Sequence, residues 1–162
     1  MTPFFASSPQ DLPDSKTVLS MSGLDFMRAI LVGDLPHPPI GRGLNYELSE
    51  VDEGRVVFRG SPGFDHTNPM GTVHGGWYGT LLDSAMACAV MTKVPKGSFY
   101  TTLEYKVNIV KTIPLDAPIL CEGLVEHSGR STGVARGWLR HADDGTLYAT
   151  GSTTCLIMQA QT

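Results

Sequence analysis

The stretch from His66 to Thr92 constrains the fold of this chain most, because it is long, mostly apolar and almost uncharged. Asp83 is its one charged residue. After the corner formed by residues 74–76, apolar residues recur every three to four positions, which is typical of a helix. Since these positions extend most of the way around the helix, we expect it to be buried. A lone carboxylate on a buried helix is costly unless it is hydrogen-bonded or used, so Asp83 is either a structural or a functional residue.

The rest of the chain predicts strands around this helix. Alternating residues between turn signals give the predicted strands Leu44–Val51, Arg55–Gly60, Tyr100–Val110, Pro118–Glu126, Gly133–His141 and Leu147–Met158. A short amphipathic helix is predicted to end at Val32, with Ser22 as its N-cap and Gly33 as its stop. Six strands, joined mostly by hairpins, and one apolar helix indicate an α+β fold. In this fold an antiparallel sheet of about six strands wraps around one long central helix.

Length and composition indicate one globular domain. The chain has 162 residues, of which 41% are hydrophobic. Residues 1–18, rich in Pro, Ser and Asp, are predicted to form a flexible tail before a single domain over 19–162. A net charge of −4 argues against nucleic acid and anionic membranes as partners. The apolar helix is too short for a membrane span, and no basic segment precedes an apolar run at the N-terminus, so we expect neither a span nor a signal peptide.

The cysteines indicate the compartment. Cys88, Cys121 and Cys155 are odd in number, far apart in the chain and form no CxxC motif. They are predicted to be buried free thiols, which fits a reducing compartment and a cytoplasmic location.

Several apparent catalytic and metal-binding motifs lack the neighbouring residues or the spacing that their function requires. Residues 129–133 match G-x-S-x-G, but the alternating residues that follow predict a strand rather than the required helix. We therefore expect a hairpin turn with Arg130 at its tip. No cysteine or histidine pair has the spacing of a metal site, and no phosphate-binding loop is present, so neither a metal nor a cofactor is expected. His37 is expected to be exposed in its proline-rich connector, and His66 to be structural.

The corner before the central helix predicts an anion site. A helix N-terminus has backbone N–H groups without partners, and Gly75 and Gly76 allow another group to approach closely. This arrangement is either an oxyanion hole or a tight structural turn. Asp83 lies eight residues after Gly75, which is about 12 Å along a helix at ~1.5 Å per residue. A base must act within ~3 Å of its proton, so the two residues of one chain cannot serve one carbonyl. If both are catalytic, a symmetric dimer is required.

These residues resemble a known family. The pattern N-P-x-G-x-x-H-G-G-x-x-x-x-L-x-D-x-A is similar to that of the PaaI-type hotdog-fold acyl-CoA thioesterases. It is formed by Asn68, Pro69, Gly71, His74, Gly75, Gly76, Leu81, Asp83 and Ala85. The resemblance extends over residues 20–158 and includes the segment 33–39 and the turns at 129–130 and 144–145. The hotdog fold of that family, an antiparallel sheet around a long helix, agrees with the architecture predicted above.

The resemblance implies hydrolysis of an aryl- or aliphatic acyl-CoA at a dimer interface, with CoA as part of the substrate. The Gly75 amide would bind the thioester carbonyl oxygen. Asp83 of the partner chain would act as general base or as nucleophile. Asn68 would position the water or the thioester, and His74 would orient the corner. Homodimers, and their pairing into a tetramer, are the implied assemblies.

The remaining implied roles are less sharply placed. Thr102, on the same chain as Asp83, would hydrogen-bond near the attacking water, although Thr101 is an alternative because strand faces alternate. Arg130 would bind a CoA phosphate, while Arg136 and Arg140 are equally compatible with a solvated sheet face.

The acyl pocket and two other functions complete the expectations. The acyl pocket would draw on Trp77, Tyr78, Leu82 and Met86. A non-catalytic acyl-CoA or apolar-ligand binder is one alternative function. A hotdog dehydratase or hydratase is another, although Cys88 stands where those enzymes tend to have a histidine.

Overall fold

The computed structural model describes residues 3–160 and has one six-stranded sheet and one long helix. The helices are α1 (Ser15–Leu19), α2 (Gly23–Val32), α3 (Pro39–Gly43) and α4 (Gly75–Met91). The strands are β1 (Tyr46–Asp52), β2 (Arg55–Gly60), β3 (Ser98–Ile109), β4 (Ile119–Ser128), β5 (Thr132–His141) and β6 (Leu147–Gln159). Short 3₁₀ turns occupy Pro9–Asp11 and Phe64–His66. Within 3–160, no helix is both long enough and apolar enough to cross a membrane.

The sheet is antiparallel throughout, in the order β1-β2-β4-β5-β6-β3. Hairpins join β1 to β2, β4 to β5 and β5 to β6, whereas β3 pairs with β6 and forms one edge. All six predicted strands are present, so the predicted architecture is confirmed. The first strand begins at Tyr46 rather than Leu44, because the unpredicted α3 ends there and Asn45 turns the chain with φ 52°.

Helix α4 lies against the sheet and forms the centre of the core. Leu81, Leu82, Ala85 and Met86 have no exposed surface. Gly123 of β4 lets the helix backbone approach closely, since a Cβ there would lie 2.1 Å from the carbonyl oxygen of Ala85. The predicted burial of this helix is therefore confirmed.

Helix α2 has the predicted caps. The Ser22 Oγ accepts a hydrogen bond from the Asp25 N–H at 3.1 Å, and Gly33 ends the helix in the left-handed region at φ 87°. The helix packs on β1 and on α4, so it extends the core beyond the sheet.

The N-terminal segment lies along the body of the molecule. The Ala6 N–H donates to the His37 carbonyl at 2.9 Å, and the Phe5 and His37 rings are 5.1 Å apart between centroids. His37 is buried by this contact, and the expectation that it is exposed is wrong. The predicted boundary between residues 18 and 19 falls inside α1, and the division into tail and domain stays a prediction. Residues 1, 2, 161 and 162 of those two ranges lie outside the described residues.

Candidate functional site

Asp83 is half-buried on α4 and is held by a threonine of β3. The Thr102 Oγ1 donates a hydrogen bond to the Asp83 Oδ1 at 3.1 Å. Burial raises the pKa of Asp83, and the hydrogen bond from Thr102 opposes that shift. Thr101 is exposed, so the structure brings Thr102 rather than Thr101 to the carboxylate. A half-buried carboxylate with a raised pKa accepts a proton more readily than one in water, which suits a base.

Just after Asp83, helix α4 carries two neutral polar residues, Ser84 and Cys88, that were not predicted from the sequence as part of the site. The Ser84 Oγ lies 3.0 Å from the Tyr46 hydroxyl. Cys88 and Tyr100 lie in the same region, and burial raises the pKa of Cys88 to about 12 and that of Tyr100 well above its ordinary value. Next to Asp83 the surroundings are therefore uncharged. These residues come from β1, α4 and β3, so only the tertiary structure brings them together.

The N-terminus of α4 is the second part of the site. The His74 Nδ1 accepts a hydrogen bond from the Gly76 N–H at 2.8 Å and caps the helix. Among the residues 3–160, no group accepts a hydrogen bond from the exposed Gly75 N–H. His74 thus occupies one of the first helical donors and leaves that of Gly75 for another acceptor.

Asn68 organises the loop that precedes this corner. Its Oδ1 accepts from the Met70 N–H at 2.9 Å and from the Thr72 N–H at 3.3 Å, and its Nδ2 donates to the Thr72 Oγ1 at 2.9 Å. The Asn68 side chain is therefore engaged in a turn, and its predicted contact with water or thioester stays a prediction. His66 binds two backbone groups, the N–H of Gly63 and the carbonyl of Gly43, which fits a structural residue.

The structure groups the predicted residues into two separate sets. Asp83 and Thr102 form one set, and His74, Gly75 and the Asn68 loop form the other. Both sets lie on or beside α4, which is one continuous helix from Gly75 to Met91. The separation of about 12 Å therefore applies, and a single chain does not bring the Gly75 amide to the Asp83 carboxylate.

An apolar surface lies along the edge strand beside the first half of α4. Its members, which we call the edge patch, are Leu103, Tyr105, Ile109 and Val110, each between 46% and 58% exposed. Tyr105 and Ile109 face the helix, since they lie closest to where a Cβ at Gly79 and at Gly75 would be. Exposed apolar patches of this kind mark sites of protein association.

Arg130 lies at the exposed tip of the β4–β5 hairpin, as the motif context predicted. The Gly129 N–H donates to the Thr132 carbonyl at 2.8 Å and closes the turn. Arg136 is paired with Glu126, and the Arg140 side chain donates to a backbone carbonyl. In the described part of the chain Arg130 has no ion pair, so its charge is available to a ligand. Over the same residues no group of three acidic, histidine or cysteine side chains could hold a metal ion.

The residues predicted for the acyl pocket lie in the core. Trp77, Tyr78, Leu82 and Met86 are at most 2% exposed and pack in the core between α4 and the sheet. The Trp77 Nε1 donates to the Leu44 carbonyl, and the Tyr78 hydroxyl accepts from the Ile113 N–H. These side chains are packed in the core of one protomer, and their predicted part in the acyl pocket stays a prediction.

Comparison with known proteins finds thioesterases. A family model described as the thioesterase superfamily matches residues 70–148, just under half of the chain. This range contains both parts of the site, Gly75 with Asp83 and Thr102. No curated protein sequence matches the chain.

Solved structures show the same fold. A putative thioesterase, a phenylacetic acid degradation-related protein from Ralstonia eutropha, is 26% identical. The match covers 81% of this chain and 98% of that one, with a TM-score of 0.73. A hypothetical thioesterase from Streptococcus pneumoniae, solved with coenzyme A, is 25% identical over 73% and 89% of the two chains, with a TM-score of 0.64. A mutant of the phenylacetic acid degradation protein PaaI from Thermus thermophilus is 24% identical over 73% and 97%, with a TM-score of 0.66. The hotdog fold and the resemblance to PaaI-type thioesterases are thus confirmed.

Proposed function

We propose that this chain, whose central part matches the thioesterase superfamily, is an acyl-CoA thioesterase that works as a symmetric dimer. One observation carries the proposal. A half-buried carboxylate held by Thr102 and a free helix N-terminal amide lie on one helix, yet too far apart to act together in one chain. A second copy, antiparallel across a two-fold axis, would bring the Asp83 of one protomer to the Gly75 of its partner.

The proposed chemistry is hydrolysis of the thioester. Asp83 takes a proton from a water molecule as the water oxygen bonds to the carbonyl carbon. The negative charge that develops on the carbonyl oxygen is stabilised by the Gly75 N–H and the positive end of α4. Collapse of the tetrahedral intermediate breaks the C–S bond, and the departing CoA thiolate takes up the proton. The products are a carboxylic acid and free CoA.

An alternative step makes Asp83 the nucleophile. Its carboxylate would then bond to the carbonyl carbon and expel CoA, and water would hydrolyse the resulting anhydride. A raised pKa makes the carboxylate both a stronger base and a stronger nucleophile, so it fits either step. If water attacks the Asp83 carboxyl carbon of the anhydride, a single turnover in ¹⁸O-labelled water gives unlabelled acid and labelled Asp83. The base route always gives labelled acid, so unlabelled acid would identify the nucleophile.

The other residues have supporting positions in this proposal. His74 fixes the corner by capping α4, and the Asn68 loop lies directly before it. Arg130 is the candidate contact for a CoA phosphate, since its guanidinium is exposed and unpaired among the described residues. The edge patch is where we place the dimer contact, and pairing of dimers into a tetramer stays a prediction. Cys88, Cys121 and Cys155 are free thiols, and the cytoplasmic location predicted from them is part of this proposal.

Replacement of Asp83 tests the proposed function. In a panel of aryl- and aliphatic acyl-CoAs with a thiol reagent, we expect thiol release from at least one substrate. Asp83→Asn keeps the shape of the side chain and removes the base, so kcat should fall at least ~100-fold. Asp65→Asn, an exposed carboxylate in the Phe64–His66 turn, is the matched control and should retain activity.

Other results would point elsewhere. Unchanged turnover in a folded Asp83→Asn variant would contradict the mechanism. Tight binding of an acyl-CoA without thiol release would indicate the binding protein, and conversion of a 3-hydroxyacyl-CoA to an enoyl-CoA would indicate the dehydratase.

A further inference from the structure

An apolar cavity of about 310 Å³ lies between α2, α4, β1 and β3. Ser84 and Cys88 of α4 and Tyr100 of β3 form its near wall. Tyr100 lies two residues before Thr102 and so on the same face of β3, and Ser84 is the residue after Asp83 on α4. The cavity therefore begins one residue from Asp83 and continues along α4 past Cys88 to Met91, away from Gly75.

The far walls come from helix α2 and the N-terminal segment. Helix α2 contributes Met27 and Ile30, while Leu12, Pro13 and Val18 of the N-terminal segment cover the outer end. We call residues 12–18 the cover segment. Backbone hydrogen bonds join the chain on either side of it to the body of the protein. Before its start the Ala6 N–H donates to the His37 carbonyl, and just beyond its end the Gly97 N–H donates to the Leu19 carbonyl at 3.1 Å.

We propose that this cavity binds the acyl group of the substrate, and that the cover segment limits the length of that group. The inference rests on the proposed function and adds a substrate class to it. The acyl group then lies in the protomer that supplies Asp83, while the Gly75 of its partner binds the carbonyl oxygen. Each substrate is thus shared between two chains.

The volume of the cavity sets the size of the acyl group. A water molecule takes up about 30 Å³ in the liquid, so 310 Å³ has room for roughly ten non-hydrogen atoms. A single-ring aryl-acyl group such as benzoyl fits this space, as does a straight chain of octanoyl length. A palmitoyl chain exceeds it unless the cover segment is displaced.

The chemistry of the lining selects uncharged acyl groups. The hydroxyls of Ser84 and Tyr46 are hydrogen-bonded to each other, and burial raises the pKa of the Cys88 thiol and of the Tyr100 hydroxyl, so both stay neutral. Burial also lowers the pKa of His37 at the far wall, which favours its neutral form. Since no lining group offers a charge to pair with, a dicarboxylic acyl group such as glutaryl would be buried at a high cost and should be a poor substrate.

A substitution in the cover segment tests the inference. Val18→Phe adds about four non-hydrogen atoms at the outer end of the cavity and leaves the region near Asp83 unchanged. Each buried methylene contributes about fourfold to affinity, so kcat/KM for octanoyl-CoA should fall at least about tenfold. For acetyl-CoA, which does not reach Val18, kcat/KM should change less than about twofold. Lys16→Phe adds a ring at an exposed position of the same segment and should change neither value.

Two further measurements make every outcome decisive. In the folded Val18→Phe variant, an equal effect on both substrates, or none on either, would overturn the inference. Leu12→Ala should shift the preference toward chains longer than octanoyl, and an unchanged chain-length profile would also count against it.

If the wild-type protein hydrolyses no thioester, the proposed function fails and the cavity is tested alone by calorimetry with the uncharged probe 1-octanol. Binding by the wild type and by Lys16→Phe, weakened at least about tenfold in Val18→Phe, supports the cavity as a site for an uncharged apolar chain. Absence of binding to the wild type overturns it.

Discussion

At the scale of single residues, the site depends on how Asp83 is solvated. Burial disfavours the ionised carboxylate, and the hydrogen bond from Thr102 favours it. Because the folded chain holds this proton more tightly than the unfolded chain, the free energy of unfolding decreases as the pH rises through the raised pKa. The protein thus loses some stability to keep a carboxylate that accepts protons well, which is typical of a catalytic base.

Thr102→Val should move the acid limb of the pH profile. The substitution removes a hydrogen bond that stabilises the ionised Asp83, so the pKa of Asp83 should rise further. A general base works only when ionised, and the acid limb of kcat/KM should therefore shift to higher pH, with lower activity on its acid side. Thr101→Val, at the exposed neighbour on the opposite face, is the matched control. A shift to lower pH, or equal shifts in both variants, would contradict the assignment of Thr102.

The sequence located Asp83 but could not choose its threonine. One charge in an apolar helix is visible in a single sequence, whereas the face to which Thr101 or Thr102 points depends on how β3 pairs with β6. That pairing shifts in register between Thr102 and Glu104, and such irregularities have no reliable sequence signal. The neighbours Ser84, Tyr46 and Tyr100 were missed for a related reason, since only packing brings them together.

At the scale of elements, the position of α4 depends on glycines in the sheet beneath it. A Cβ at Gly123 would approach backbone atoms of α4, and one at Gly133 would lie 2.4 Å from a side-chain carbon of Val90. The helix can therefore lie this close to the strands only because these two positions have no side chain. Since Asp83 and Gly75 are both on α4, the same contacts set the position of the site.

Gly123→Ala should destabilise the fold. The added carbon would lie 2.1 Å from the Ala85 carbonyl oxygen, so the helix must shift away from β4. Overpacking of this kind costs about 1–3 kcal/mol, and backbone contacts should place this variant at the upper end. The free energy of unfolding in urea measures the loss. Gly43→Ala, where an added Cβ has no heavy atom within 4 Å, should be close to wild type. A fully stable Gly123→Ala variant would show that the helix can move at little cost.

The helices and strands were more predictable than the space between them. The Ser22 cap and the Gly33 stop of α2 are local signals, and the structure has both where the sequence predicted them. The sequence did not indicate which side of α4 borders a cavity, because an apolar helix gives no sign of which face meets the sheet. Trp77 and Met86 turned out to be core, whereas Ser84 and Cys88 line the cavity.

At the scale of the whole molecule, one protomer contains both parts of the site but cannot bring them together. The edge patch lies beside the first half of α4, so a partner that covers these apolar side chains also approaches Gly75. Burial of exposed apolar surface is the main driving force for such association. Association and catalysis are therefore expected to depend on the same edge of the molecule.

Mixing two inactive variants should restore activity. Gly75→Pro removes the proposed oxyanion donor but suits the first position of a helix, and His74 already has the extended backbone, φ −64° and ψ 138°, that precedes proline. Asp83→Asn removes the base. If each site combines Gly75 of one chain with Asp83 of the other, a mixed dimer has one intact site and one doubly defective site. Random reassociation of equal amounts gives half mixed dimers, so about a quarter of wild-type activity should return.

The unmixed variants supply the baseline for this experiment, and both must remain folded and dimeric by light scattering. Activity should appear only after the dimers are dissociated in mild denaturant and allowed to reassociate together. If one chain supplied both groups, every site in a mixed dimer would lack either the donor or the base, and no activity would return. The recovered fraction thus distinguishes a shared site from a self-contained one without any assumption about the acyl group. The outcome depends on where the two substituted residues lie along α4. It does not depend on the overall stability of the dimer.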